Sequence, residues 1–260
     1  MYMKELIKQI YNAIDPVFIF IYRLLNNFKG PIPPARNRAR VGNRFIKQFM
    51  KSGKNCYLPV SNAIKLYYKE HEIKPKVLDF GAGVGRTLQY FAHNNNAYAL
   101  YACDVDSSAS AYLLKAFPDV KTYCSQYVPP LVYQSNYFDI VYSVSIWTHL
   151  PLNSQEPWLD EIYRILKPGG IALLTTIGTY GFKKGTHLQS FDYSIEELVD
   201  KGIKYCEYDD KENIPGTGDS YGATYQTIDY TKNNWNKKFT ILDIQEGVID
   251  DLNDLVILRK

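Results

Sequence analysis

The ten residues Val77-Leu78-Asp79-Phe80-Gly81-Ala82-Gly83-Val84-Gly85-Arg86 restrict the fold of this chain more than any other stretch. A short apolar run ends near a carboxylate, three glycines alternate, and a helical pattern follows over 86–92. Glycines in such a strand–turn–helix let the backbone turn tightly and let a ligand approach without a Cβ in the way. The amides at the following helix N-terminus add a positive field. A dinucleotide fingerprint needs glycine at 81, 83 and 86, but position 86 is Arg and the third glycine falls at Gly85. Asp79 would repel a pyrophosphate, yet it suits a ligand carrying a positive amino group. Asp104 closes the next predicted strand, 19 residues after Gly85, where a carboxylate can accept hydrogen bonds from ribose hydroxyls. The pattern favours a nucleoside bearing an amino acid over a dinucleotide.

From residue 74 the pattern alternates between the two periodicities. Strands are predicted at 77–80, 97–103, 120–124, 138–144 and 171–177, with helices at 86–92, 108–117 and 158–166. Strands alternating with helices imply a doubly wound, mostly parallel sheet covered on both faces. Segments 239–245 and 254–258 lie only about nine residues apart, too close for a crossover, which needs about a dozen or more. They are expected to form an antiparallel closing pair.

Ahead of this α/β region the chain reads differently. Leu6, Ile10, Ile14, Val17, Ile21 and Leu25 fall at helical spacing. Asp15-Pro16 reads as an N-cap followed by proline at the first helical position, which predicts two helices within 1–29. Residues 17–25 resemble a short signal-peptide core, but Arg23 interrupts it and no small-residue cleavage site follows. Such a stripe is satisfied by packing on the body, by a homodimer seam or by peripheral contact with a membrane surface. Gly30-Pro31-Ile32-Pro33-Pro34 breaks the helix, and helices are predicted again near 43–54 and 61–71. The expected organisation is amphipathic helices at 1–29, a basic linker and lid helices at 30–73, and a domain at 74–260 with an insertion about 179–230.

Charge matters through its placement. The whole chain carries +3, too little to imply a nucleic-acid partner, but residues 1–54 hold eleven Lys/Arg against Glu5 and Asp15, a net +9. An anionic partner and a merely solvated basic face both fit this asymmetry. With 46% hydrophobic residues the chain is no disordered segment. The four cysteines show neither CxxC pairs nor metal-ligand spacing, so no metal is expected and a reducing cytoplasm is the expected compartment. Contact with the inner face of the membrane stays open.

The motif order resembles that of the class I S-adenosylmethionine-dependent methyltransferases. Beyond the glycine loop, Tyr137-Phe138-Asp139-Ile140-Val141-Tyr142-Ser143-Val144-Ser145 and Leu166-Lys167-Pro168-Gly169-Gly170 look like that family's fourth-strand and pre-fifth-strand motifs. The likeness covers about 74–178 and 230–260, and implies a seven-stranded Rossmann-like sheet with an antiparallel last strand behind a helical N-terminal extension. It further implies that Asp79, Gly81, Gly83 and Gly85 surround the methionine part of S-adenosylmethionine. Asp104 would hold the ribose and Val105 would face the adenine, with Phe80 and Ser143 as further cofactor positions. Many members place an acid after the third strand; here Gln126 is the substitute, through its amide carbonyl. Asp106 is expected to cap the helix starting near residue 108.

An oxygen acceptor usually needs a base to take its proton. His149, in Trp147-Thr148-His149-Leu150-Pro151 just past the fourth predicted strand, is the candidate, and a purely structural histidine is the alternative. His187 and His93 are weaker candidates. The stretches 33–42 and 219–227 look like a bacterial subgroup found with glycan or secondary-metabolite pathways. That resemblance implies a sugar or other small-molecule hydroxyl as acceptor, in free, phosphorylated or lipid-linked form. An amine acceptor and a non-catalytic scaffold remain alternatives. A nucleic-acid acceptor is disfavoured because the fourth motif lacks the Asn/Asp-Pro-Pro-aromatic pattern. Arg38 or Arg40, in the basic segment 36–44, is expected to reach an anionic group of the cofactor or acceptor.

Overall fold

Residues Val77, Leu78 and Phe80 are buried on both sides of their strand, and that pattern repeats across the sheet. Val77, Ile140, Tyr142, Leu173 and Ile257 pack into one core; Leu78, Val141, Leu174, Val256 and Leu258 pack into another. Period-two alternation with both sets apolar forces a sheet to be covered on both faces. The computed structural model describes residues 2–69, 73–93, 97–185, 193–207 and 222–260. His187, Tyr208, Tyr221 and the start of the 219–227 stretch lie outside the described residues.

The elements run α1 (Tyr2–Asn26), α2 (Ala35–Arg40), α3 (Ile46–Tyr67), β1 (Lys76–Phe80), α4 (Leu88–Ala92), β2 (Ala99–Asp104), α5 (Ser107–Ala116) and β3 (Lys121–Cys124). They continue with β4 (Phe138–Ser143), α6 (Leu152–Ile165), β5 (Leu166–Thr176), α7 (Thr179–Lys184), α8 (Ile195–Lys201) and β6 (Ile203–Glu207). The chain closes with β7 (Gly222–Gln226), α9 (Ile228–Trp235), β8 (Thr240–Ile249) and β9 (Asn253–Arg259). A seven-stranded sheet has the order β3-β2-β1-β4-β5-β9-β8, parallel except for β9, which runs antiparallel to both neighbours. Strand β1 pairs with β2 on one side and β4 on the other, so the order reverses there. In open parallel sheets the crevice beyond the strand ends at such a switch point is where ligands bind. The inserted stretch adds a separate antiparallel pair, β6–β7.

Three expectations need correction. A single helix, α1, runs through Pro16 where two were expected. Asp15 does not cap a second helix; its buried carboxylate accepts from the Ala35 amide at 2.8 Å and pairs with Arg38. A tertiary partner thus claims the residue that would have ended the helix, and the proline costs only a local hydrogen bond. Likewise α3 is one helix through Pro59, because Cys56, Val60, Ala63 and Ile64 form one face buried against β1 and α4. Strand β5 starts at Leu166, five residues before the predicted edge, pairing Leu166 with Phe138 before a register shift.

Candidate active site

The loop after β1 folds over the end of β2. The Gly81 and Ala82 amides both donate to the Cys103 carbonyl, at 2.9 and 3.0 Å, and the Gly83 amide donates to Asp104 Oδ2 at 2.7 Å. Asp104 Oδ1 accepts from the Asp106 amide at 2.9 Å. The carboxylate is therefore fixed in orientation by two backbone donors, and each oxygen retains a lone pair for a further donor. Burial raises the Asp104 pKa, opposed by these amides. Gly81 and Gly83 have φ of +78° and +55°, the left-handed region that a side chain opposes. A Cβ on Gly81 would lie 2.2 Å from Ile146 Cδ1, and one on Gly83 2.9 Å from Val41 Cγ1.

A cavity of about 570 Å³ opens over this loop, lined by Asp79, Phe80, Gly81, Gly83, Asp104 and Val105, and also by Thr148 and His149. Asp79 is buried and accepts a 2.7 Å hydrogen bond from the Tyr142 hydroxyl. Burial, with the Asp104 charge, raises its carboxyl to about 7, although Tyr142 and Arg86 pull the other way. A buried carboxyl held near neutrality is poised to ionise when a cation arrives. This fits the amino acid half of the cofactor implied by the motifs, while Asp104 fits its ribose.

Other expected positions fall elsewhere. Gly85 lies outside the cavity; a Cβ there would meet Phe117 and Leu113 at 2.7 and 3.1 Å, so this glycine serves the packing of α5. The Ser143 hydroxyl is buried and donates to the Phe80 carbonyl at 2.8 Å, tying β4 to β1. Gln126 is exposed, and its neighbours Ser125 and Tyr127 line the cavity instead. His93 is exposed at the end of α4. Arg38 is fully buried, with its guanidinium on Asp15 at 2.6 Å, on the Arg44 carbonyl and on the Pro33 carbonyl. It is a structural clamp rather than a lid residue. Arg40 does reach the rim, where it pairs with Asp106, the cap of α5.

His149 lines the same cavity. Its Nδ1 lies 2.7 Å from the Gly222 carbonyl, which can only accept, so the neutral ring carries its proton on Nδ1 and its lone pair on Nε2. The same cavity is lined by residues to which the sequence assigned no role. Ser145 has φ of +64°, unusual for a side-chain-bearing residue and typical of functional sites. The Asn253 side-chain amide donates to Ser145 Oγ at 3.1 Å from 108 residues away. Asn253 Oδ1 and Thr148 Oγ1 are buried without a partner among the described residues, and both residues line the cavity. Arg86 also lines it, bonded to Ser52 Oγ at 2.9 Å, and its guanidinium can pair with a carboxylate.

Residues 78–174 match the family model described as "Methyltransferase domain". A tRNA N(3)-cytidine methyltransferase METTL2 from Bos taurus is 30% identical over 45% of this chain and 35% of its own length. A sterol 24-C-methyltransferase from Yarrowia lipolytica is 32% identical over 37% of this chain and 26% of its length. The phosphoethanolamine N-methyltransferase 2 of Caenorhabditis elegans is 31% identical over 44% of this chain and 27% of its length. The chain thus spans about a third or less of these curated relatives. A SAM-dependent methyltransferase structure from Methanosarcina mazei superimposes with TM-score 0.56 at 16% identity, covering 78% of this chain and 97% of that one. The 1,6-didemethyltoxoflavin-N1-methyltransferase of Burkholderia thailandensis, with S-adenosylhomocysteine bound, gives 0.54 at 15% identity over 90% and 93%. The sheet order agrees with this class I fold. The tRNA-modifying relative weakens the case against nucleic acid that rested on the fourth motif alone.

Proposed function

We propose, from the premise that residues 78–174 form a class I S-adenosylmethionine-dependent methyltransferase domain, that this chain methylates a hydroxyl of a sugar or similar small molecule. One observation carries the reading: the Asp104–Gly83 cradle and His149, its Nδ1 proton committed to Gly222, line one and the same cavity. When bound, S-adenosylmethionine supplies an electrophilic methyl group for in-line transfer. The chain's residues orient the two partners, exclude water and accept a proton. Asp79 would hold the amino group, Asp104 the ribose hydroxyls, and Val105 would lie against the base. His149 Nε2 takes the acceptor's proton as its oxygen attacks. Thr148 Oγ1 and Asn253 Oδ1, buried and unmatched among the described residues, suit an acceptor with several hydroxyls.

The acceptor test is incubation with S-adenosylmethionine and a panel of sugars, read by mass spectrometry for a gain of about 14 daltons, one methylene. For an accepted substrate, His149→Ala lowers kcat by about 10²–10⁴-fold and leaves S-adenosylhomocysteine affinity unchanged. An unaltered kcat would remove His149 from the chemistry. An amine acceptor is the second reading, favoured by the phosphoethanolamine N-methyltransferase relative. An unprotonated amine needs no base before attack, so the same variant separates the two. No cofactor binding at all would leave the scaffold reading.

Asp79 gives a pH prediction. Its folded pKa of about 7 lies above the ordinary carboxylate range, so the empty protein loses this contribution to stability as pH rises from about 4 through 7. A bound ammonium favours the ionised form, so binding below about pH 7 releases a proton and affinity climbs with pH up to that point. Titration calorimetry in two buffers of different ionisation enthalpy measures this release. In Asp79→Asn it disappears; release of equal size in both proteins would assign it to another group.

A further inference from the structure

We propose that the outward face of α1 docks on an anionic phospholipid bilayer. Helix α1 turns Asp15, Ile19 and Tyr22 toward the body, and leaves the rest of its apolar surface in solvent. Ile10, Val17, Phe20, Leu24 and Leu25 are 52, 57, 67, 72 and 77% exposed, and Leu6, Ile14, Phe18 and Ile21 continue the same face. The helix has 25 residues and is therefore about 37 Å long at about 1.5 Å per residue. An apolar strip of this length exceeds the patches that folded monomers ordinarily leave in water. Phe45, half exposed and edge-on to Tyr11 at 5.3 Å, extends it toward α3.

Charge decides what covers the strip. Residues 6–67 contain eleven Lys/Arg and a single acid, Asp15, which is buried on Arg38. Among the described residues of 6–67, Arg23, Lys29, Lys47, Lys51 and Lys54 are exposed and no carboxylate is, and the one exposed acid held against α3 from elsewhere by Ser52 and Asn55 is Asp250. Lys47, Lys51, Lys54 and Leu58 share one face of α3 by their spacing, and all four are exposed. A second copy would cover the apolar side chains but bring like charges together. A nucleic acid would neutralise the cations and leave the apolar side chains in water. A bilayer with anionic head groups answers both, as interfacial amphipathic helices do. Among the described residues no helix is long and apolar enough to cross a membrane, so the contact is with its surface. Through Asp15 and Arg38, α1 holds α2, which leads into the cavity wall at Arg40 and Val41; docking thus sets one wall of the site at the lipid interface. The proposal stands on exposure and charge and does not depend on the acceptor assigned above.

Vesicle co-sedimentation of the full chain tests it. Wild type should pellet with equimolar phosphatidylglycerol/phosphatidylcholine vesicles and bind pure phosphatidylcholine at least about ten-fold more weakly. Val17→Glu/Phe20→Glu/Leu24→Glu should lose at least about ten-fold of this binding while keeping the wild-type circular dichroism spectrum. Lys47→Gln/Lys51→Gln/Lys54→Gln should weaken anionic binding by a similar factor, a check that leaves α1 untouched. Failure of wild type to pellet overturns the proposal, as does equal pelleting of both variants and wild type. Dimers that separate in the triple glutamate variant without any vesicle binding, or RNA binding in place of vesicle binding, overturn it as well.

Discussion

Asp104→Ala lowers the affinity for S-adenosylhomocysteine by at least about 100-fold, the loss of two charge-assisted hydrogen bonds of about 1.5 kcal/mol each. The size follows from preorganisation. Asp104 is held by the Gly83 and Asp106 amides at 2.7 and 2.9 Å before any ligand arrives. Its oxygens need not be ordered during binding, so the ribose contacts are realised in full. Removing the carboxylate also strands the Gly83 amide and loosens the loop that must approach the cofactor. Asp104→Asn separates these effects, because it can still accept a hydrogen bond while losing the charge, and should fall between the two. Titration calorimetry is the measurement. Wild-type affinity in Asp104→Ala would place the ribose elsewhere and undo the cofactor orientation on which the assignment of His149 depends.

The second large effect lies in the N-terminal helices. Asp15→Ala should destabilise the packing of α1 and α2 by about 3–5 kcal/mol, the usual consequence of stranding one partner of a buried ion pair. Arg38 is 0% exposed and Asp15 3%, and the carboxylate also accepts from the Ala35 amide at 2.8 Å. Without Asp15 the guanidinium keeps only the Arg44 and Pro33 carbonyls. Asp15→Leu combined with Arg38→Met should cost less than Asp15→Ala alone, since an apolar pair leaves no buried charge. Hydrogen exchange should localise the change to residues 2–44. Arg40 ends α2 and Val41 follows it, and both wall the cavity, so cofactor affinity should fall with it. Wild-type exchange in Asp15→Ala would mean that the pair is not what fastens the N-terminal helices.

Much of the domain was legible from local signals. Two apolar periodicities located β1, β2 and β4 to within a residue or two, and the spacing of 239–245 and 254–258 foretold the antiparallel pair now seen as β8 and β9. Helix boundaries were less legible. Residues 1–29 and 43–71 each read as two helices, yet Pro16 and Pro59 lie inside continuous ones: in α3 the buried face of Cys56, Val60, Ala63 and Ile64 outweighs one missing backbone hydrogen bond, and in α1 Asp15 pairs with Arg38 instead of capping a second helix. Asp79, Gly81, Gly83, Asp104 and His149, the candidates reached by reading outward from strand ends, all line one cavity. Gly85 and Ser143 carried the same sequence signal but turned out to serve packing and strand tethering.

By itself, then, the sequence determined the order of strands and helices along the chain and the turn at the glycine loop. Each depends on residues a few positions apart, whose spacing is the physical cause. Only the tertiary structure decided that Arg38 is a buried clamp, that Val41 touches the glycine loop, and that Asn253 joins Ser145 across 108 residues. Such contacts arise where separate elements meet, and a side chain's role there is set by whichever distant neighbour takes up its charge, its hydrogen bond or its volume.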